Sequence, residues 1–290
     1  MKQVDPLDNL DLRPLDQTGI RILVDWARQE GWNPGPYDAD IFWATDPEGF
    51  VGIYDGDTMV GGGAIVRYTD TFGFMGLFIV RPEYRSRGIG RQLWYARRDR
   101  LLARLEPDAC IGMDGVVAMQ PFYAQGGFVP AYREVRYCRV GERLDVDPRV
   151  SPISGADWPA ILAYDEAVLG YARPAFLRPW LALPGNKAFR YDDARGLRGI
   201  AVVRKAHEGW KIGPLFADDV VAAEALYRAC LNAVPCDNLY CDVPMANPAA
   251  ASLLELYGAK YVFECARMYY GAPPLQDVGR IFGVTSFELG

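Results

Sequence analysis

The apolar positions of this 290-residue chain change their spacing repeatedly, and each change predicts a new element. Residues 10–15 read as a strand. Over residues 16–30 the set Ile20, Leu23, Val24 and Ala27 recurs at helical spacing, and Gly31 ends the helix. Strands follow at 50–54 and 59–68, separated by the turn Asp55-Gly56-Asp57. Another strand covers 72–80, and residues 88–105 form a helix with Ile89, Leu93, Ala96 and Leu101 on one side. A strand at 109–113, a short helix at 119–124 and an extended segment at 128–140 complete the first half. The order β-α-(α)-β-β-β-α-β-α-β predicts an α/β fold, a mixed sheet with helices on both faces.

The charged, proline-bearing stretch 141–148 predicts a domain boundary, giving domains at 1–147 and 148–290. The second half begins with helices around 157–166 and after Arg173, then a hairpin of strands at 199–204 and 208–215. A helix at 219–233, a strand at 238–243, a helix at 248–256, a strand at 260–270 and a candidate last strand within 280–289 follow. The halves match in order and spacing. Asp114-Gly115-Val116 leads through a helix to Gly127-Phe128 and on to Arg136-Tyr137-Cys138; Asp242-Val243-Pro244 leads likewise to Gly258-Ala259 and Arg267-Met268-Tyr269. That correspondence predicts a tandem repeat.

Composition removes several classes of function. Half the residues are apolar and 23% charged, so the chain can bury a sizeable core. A net charge of −6 gives no basic footprint for nucleic acid. No apolar stretch approaches the roughly 18 residues of a membrane span, and residues 1–6 show no export signal, so a cytoplasmic protein with no membrane partner is expected. The six cysteines include no C-x-x-C pair and read as reduced, mostly buried thiols. The lone histidine, His207, sits in a polar hairpin turn. Zinc sites built on histidine, Ser-His-Asp triads and Cys-His dyads would all need that one residue, and no metal is expected.

Chemistry concentrates in residues 77–90. An apolar strand through Phe78, Ile79 and Val80 stops at Pro82, and the R-x-x-G-x-G loop Arg85-Ser86-Arg87-Gly88-Ile89-Gly90 then opens a helix. Glycines permit positive φ, so that successive N–H groups converge, and the helix start adds unpaired donors. Such a loop suits a pyrophosphate, and Arg85 and Arg87 strengthen that reading. The other reading is a tight turn with two solvated arginines. No Rossmann glycine pattern or Walker lysine is present at this junction.

The strand–proline–R-x-x-G-x-G–helix unit resembles the acyl-CoA-binding motif of the GNAT acetyltransferase superfamily. Phe122-Tyr123-Ala124-Gln125-Gly126-Gly127-Phe128 resembles that family's later Y-x-x-x-G-F motif, and together the resemblance covers residues 10–140. Residues 31–35 and 282–290 look like a bacterial subgroup that carries a second, diverged GNAT-like domain. The resemblance implies an N-acetyltransferase that moves acetyl from acetyl-CoA directly to an amine, most simply on a small molecule. It implies that the backbone of Phe78, Ile79 and Val80 holds the pantetheine arm, and that Arg85 to Gly90 with Arg91 hold the pyrophosphate. Tyr123 would protonate the leaving thiolate. The family's asparagine seven residues before that tyrosine is Val116 here.

Asp114 is the first choice for the base, with a turn-capping role as the alternative, and Glu83 the second. Trp32, Asn33 and Tyr37 are expected substrate walls. Arg97 and Arg98 read as a solvated helix face, with the adenosine 3′-phosphate as an alternative partner. The second copy is degenerate: Leu254 stands at the tyrosine position, and Asp218 and Asp219 stand where a phosphate would bind. The rival reading of the whole chain is a non-catalytic acyl-CoA sensor.

Overall fold

The structure, a computed structural model, describes residues 10–290; the export-signal reading of residues 1–6 lies outside the described residues. The first copy comprises β1 (Leu10–Pro14), α1 (Gln17–Gln29), α2 (Asp38–Thr45), β2 (Phe50–Asp55), β3 (Thr58–Ala64) and β4 (Val66–Arg67). It continues with β5 (Phe72–Phe74), β6 (Ile79–Val80), α3 (Ile89–Leu102), β7 (Cys110–Val116), α4 (Gln120–Gln125) and β8 (Val129–Val140). The second comprises β9 (Val150–Pro152), α5 (Trp158–Leu169), α6 (Pro174–Leu181), β10 (Lys187–Asp193), β11 (Gly196–Lys205) and β12 (Trp210–Ala217). Then come α7 (Val220–Ala233), β13 (Asn238–Pro244), α8 (Pro248–Leu256), β14 (Lys260–Tyr270) and β15 (Ile281–Gly283). Local signals set the helices as expected: Asp16 accepts from the Gly19 amide to cap α1, whose Ile20, Leu23, Val24 and Ala27 are buried.

The expected strand 72–80 is broken. Leu77 adopts φ 50°, a left-handed conformation that turns the chain out of one sheet and into another. Before the break β5 runs parallel to β7; after it β6 pairs antiparallel with β3, at the edge of the sheet β1-β2-β3-β6. Beyond the bond from the Met75 amide to the Gly112 carbonyl (2.9 Å), the two lines part. A V-shaped opening results between β6 and β7.

In the second copy β12 and β13 also start parallel, from Trp210↔Leu239 to Ile212↔Cys241. Here the opening is filled. β15 pairs antiparallel with β12 at Leu215↔Gly283 and Phe216↔Ile281, and the Val284 amide donates to the Asp242 carbonyl at 2.7 Å.

The two copies exchange strands. The expected extended segment 128–140 is β8, and it lies between β14 and β13, so the order at the seam is β7-β14-β8-β13. Each copy contributes one long strand, β8 or β14, to the other. Two matched ion pairs fix this register: Arg267 stands opposite Asp114, and Arg136 opposite Asp242. The Nε–Oδ1 distance is 2.6 Å in both, and all four side chains are buried. Removing one partner of such a pair costs about 3–5 kcal/mol, so the exchange is strongly specified. The sheet runs across the boundary expected at 141–148.

Candidate active site

A cleft of about 820 Å³ occupies the opening between β6 and β7. At its mouth Ser86 (φ 62°) and Gly88 (φ 81°) take left-handed conformations, and Gly88 is the N-cap of α3. Backbone amides 86–91 donate to no acceptor among the described residues. They form a run of converging donors at the positive end of a helix, an anion cradle of the kind the loop's glycines predict. A Cβ on Gly90 would stand 3.6 Å from the Phe78 ring and 3.7 Å from Val80, so that glycine keeps the floor of the cradle clear.

The charged residues of the loop divide. Arg85 donates from Nε to the Val80 carbonyl (2.8 Å) and ion-pairs with Glu30, a residue the loop motif alone could not reveal. Arg91 lines the cleft, but Arg87 does not; its guanidinium lies 5.4 Å from the Tyr84 ring centre. The Ile89 side chain is core, leaving only its amide for a ligand. Glu83 pairs with Arg81 outside the cleft.

Deeper in, Phe78, Ile79 and Val80 form one wall. Their backbone groups are not equivalent. The Arg81 amide donates to the Val60 carbonyl, so alternation turns residues 79 and 81 toward β3, and residues 78 and 80 toward the cleft. Ile79 therefore spends its peptide groups on β3. Tyr123 stands opposite, packed on Trp94 with ring centres 4.7 Å apart, and its hydroxyl is unbonded among the described residues. Burial pushes its pKa up to about 12, so it is a phenol, a proton donor, throughout the physiological range.

Several expected site residues are placed otherwise. Asp114 lines the cleft, yet both its oxygens are held by Arg267, at 2.6 and 3.0 Å. Glu134 lies beside the same guanidinium, 3.4 Å away. Burial raises both carboxyls and Arg267 pulls them back. A proton taken up by Asp114 would weaken its pair with Arg267. Asp114 is therefore a poor base, and its twin Asp242 in the degenerate copy makes the same pair. Asn33 lines the cleft but spends its amide on the Glu208 backbone, donating at 2.9 Å and accepting at 2.8 Å. Tyr37 is exposed and outside the cleft, whereas Trp32 lines it.

Arg97 is the largest departure. It is fully buried rather than solvated, donating to the carbonyls of Ala64 and Gly76 at 2.6 Å each. It has no carboxylate partner among the described residues, and burial lowers its pKa to about 9. Its work is to hold the bulge that opens the cleft. Arg98 caps the Gly126 carbonyl at 3.0 Å. The far wall comes from elements distant in sequence: Arg136, Glu208, Tyr240, Phe263, Cys265, Phe287 and Glu288.

Two domain models of the GNAT acetyltransferases match the chain, one over residues 18–128 and the other over 161–283. The chain belongs to the GNAT superfamily. This GNAT chain is a tandem of two such folds, the second degenerate, and its family uses acyl-CoA as co-substrate. It is 28% identical over 280 residues to holothin acyltransferase from Pseudoalteromonas sp. (strain SANK 73390), covering 96% of this chain and 94% of that protein. A crystal structure from Pyrococcus horikoshii, provisionally described as an acetyltransferase, superposes with a TM-score of 0.83 at 22% identity. It covers 98% of this chain and 97% of that one. A tandem GNAT protein from the clavulanic acid biosynthesis pathway gives a TM-score of 0.61 at 15% identity, over 91% and 99% of the two chains. At these identities the two structures speak to the fold. No helix among the described residues is long and apolar enough to cross a membrane.

Proposed function

We propose that this GNAT chain transfers an acetyl group from acetyl-CoA directly to the amine of a small molecule. The observation that carries the reading is the unbroken run of free amides at 86–91, continuous with the open strand edge at Phe78 and Val80. A pyrophosphate would take the amides together with Arg91, and Arg85 would exchange Glu30 for it. The pantetheine arm would pair with the peptide groups of Phe78 and the amide of Val80, whose carbonyl Arg85 already occupies, and this brings the thioester to the bulge at Gly76 and Leu77. Tyr123 would give its proton to the departing sulfur as the C–S bond breaks, and recover one from the nitrogen of the collapsing adduct. Residues 1–147 would supply the cofactor side, and 148–290 the far wall. Free cysteines, four of them buried, suit a cytoplasmic setting.

The second reading, a non-catalytic acyl-CoA sensor, would keep the cradle without needing a phenol. Tyr123, unbonded and facing the cleft, favours the enzyme. The test is thiol release from acetyl-CoA across a panel of amino acids, polyamines, amino sugars, arylamines and peptides. Acceptor-dependent release with an acetylated small molecule supports the proposal. Acetyl-CoA binding without release from any amine would favour the sensor.

A further inference from the structure

Beyond β15 the chain does not leave the molecule. Residues 284–290 run on from the filled opening of the second copy into the open cleft of the first. Gly76, on the bulge, is so close to Glu288 that a Cβ there would lie 1.8 Å from the Glu288 carbonyl oxygen. Glu288 thus lines the cleft beside Gly76, at the end where the thioester would stand. Its Oε2 accepts from Ser286 Oγ at 2.7 Å; its Oε1 has no hydrogen-bond donor among the described residues, with Lys211 Nζ at 3.9 Å.

The surrounding charges single out this carboxylate. Arg136 on β8 is committed to Asp242 on β13, and Arg204 on β11 to Asp38 on α2. Asp114 on β7 is committed to Arg267. Lys211 on β12 donates to the Trp32 carbonyl at 3.0 Å and does not line the cleft. That leaves Glu288 as the buried acid on the cleft wall with an oxygen that accepts no hydrogen bond among the described residues.

We infer that Glu288 is the catalytic carboxylate for the acceptor: Oε1 binds its ammonium group and removes the proton before attack. This assignment rests on the proposed transfer to an amine. The step balances. The ammonium gives one proton to Glu288, which passes it to solvent; the free amine forms the C–N bond, the C–S bond breaks as the sulfur takes the proton of Tyr123, and Tyr123 regains a proton from the acylated nitrogen. Burial alone would raise the Glu288 carboxyl, but Lys211, Arg204 and Arg136 together pull it below the ordinary range, so it stays ionised to meet a cation. The second copy thus completes the reaction centre of the first.

The test uses the full chain and an acceptor found in the amine panel. Glu288→Gln should lower kcat/KM for the amine about 10²-fold or more at pH 7, within the range of general base catalysis. The deficit should shrink as pH rises toward the pKa of the amine, because the free base then needs no acceptor for its proton. Acetyl-CoA binding by calorimetry should be unchanged, which also shows that the variant is folded. Should Glu288→Gln fail to fold, Glu288→Asp, with its shorter reach, should show the same split. Wild-type turnover at pH 7 in a folded variant, or a deficit equal at every pH, overturns the inference and leaves the proposed function standing. A wild-type chain that acetylates no amine overturns both.

Discussion

Gly76 and Glu288 meet backbone to backbone, the residue that opens the cleft against a residue that lines it. A side chain at 76 would strike the Glu288 carbonyl, so Gly76→Ala should push the tail out of register. The expected cost is about 1–3 kcal/mol, read from chemical denaturation. Acceptor turnover should fall while acetyl-CoA affinity changes little. A Gly76→Ala enzyme of normal stability and rate would mean that the tail is free to shift.

Tyr123→Phe removes the phenol and keeps the stacking on Trp94. Its kcat should drop roughly 10–10³-fold with nearly unchanged affinity for acetyl-CoA. The raised pKa of about 12 also has a sign. The donor form is full below that value and empties only above it, so no alkaline limb below about pH 11 should vanish in the variant. Unaltered turnover would leave the sulfur to be protonated by water.

One acetyl-CoA should bind per chain. The first copy offers free amides at 86–91, whereas the second has β15 in the equivalent opening. There Asp219 caps α7, and Asp218 is paired with Arg198 and Arg280. Calorimetry should return a stoichiometry near one, abolished by replacing Gly88 and Gly90 together with larger residues. Asp218→Ala should leave the number unchanged. A stoichiometry of two would contradict the plugged opening.

A chain cut after residue 147 should not fold alone. It would lack β14 beside β7 and both partners of β8, and would leave Asp114 and Arg136 without the counter-charges they pair with. Circular dichroism and gel filtration should show an unfolded or aggregated product, rescued by co-production of residues 148–290. A monomer with a cooperative transition would show that β8 can return to β7.

What was legible in the sequence is what is decided locally. The cradle follows from glycines and arginines within a few residues, and Tyr123 from its short motif. Asp114 was misplaced because its partner, Arg267, is 153 residues away. The repeat nevertheless held a clue: Asp114 matches Asp242 and Arg136 matches Arg267, so reading the pairs crosswise reveals the seam. Arg97 reads as solvated in the sequence because helical spacing says nothing of what lies above it. Gly63 lies there, so close that a Cβ would sit 2.3 Å from the Arg97 Cζ, and only a glycine lets the guanidinium lie flat. Glu288 carried no local signal, since its place depends on β15 filling the other copy's opening.

The interleaved order β7-β14-β8-β13 also bears on how the molecule is made. A nascent chain that has released β8 must wait for residues 260–270 before the strand between β7 and β8 exists. Those roughly 120 intervening residues take on the order of 6–24 s to synthesise at about 5–20 residues per second. Through that interval the first copy has an open sheet edge and charges without their partners, a natural client for a holdase. The carboxylate proposed for the acceptor, Glu288, emerges later still, after β14 and β15. On that assignment a chain stopped before residue 288 should turn over no acceptor, however much of the cradle has formed.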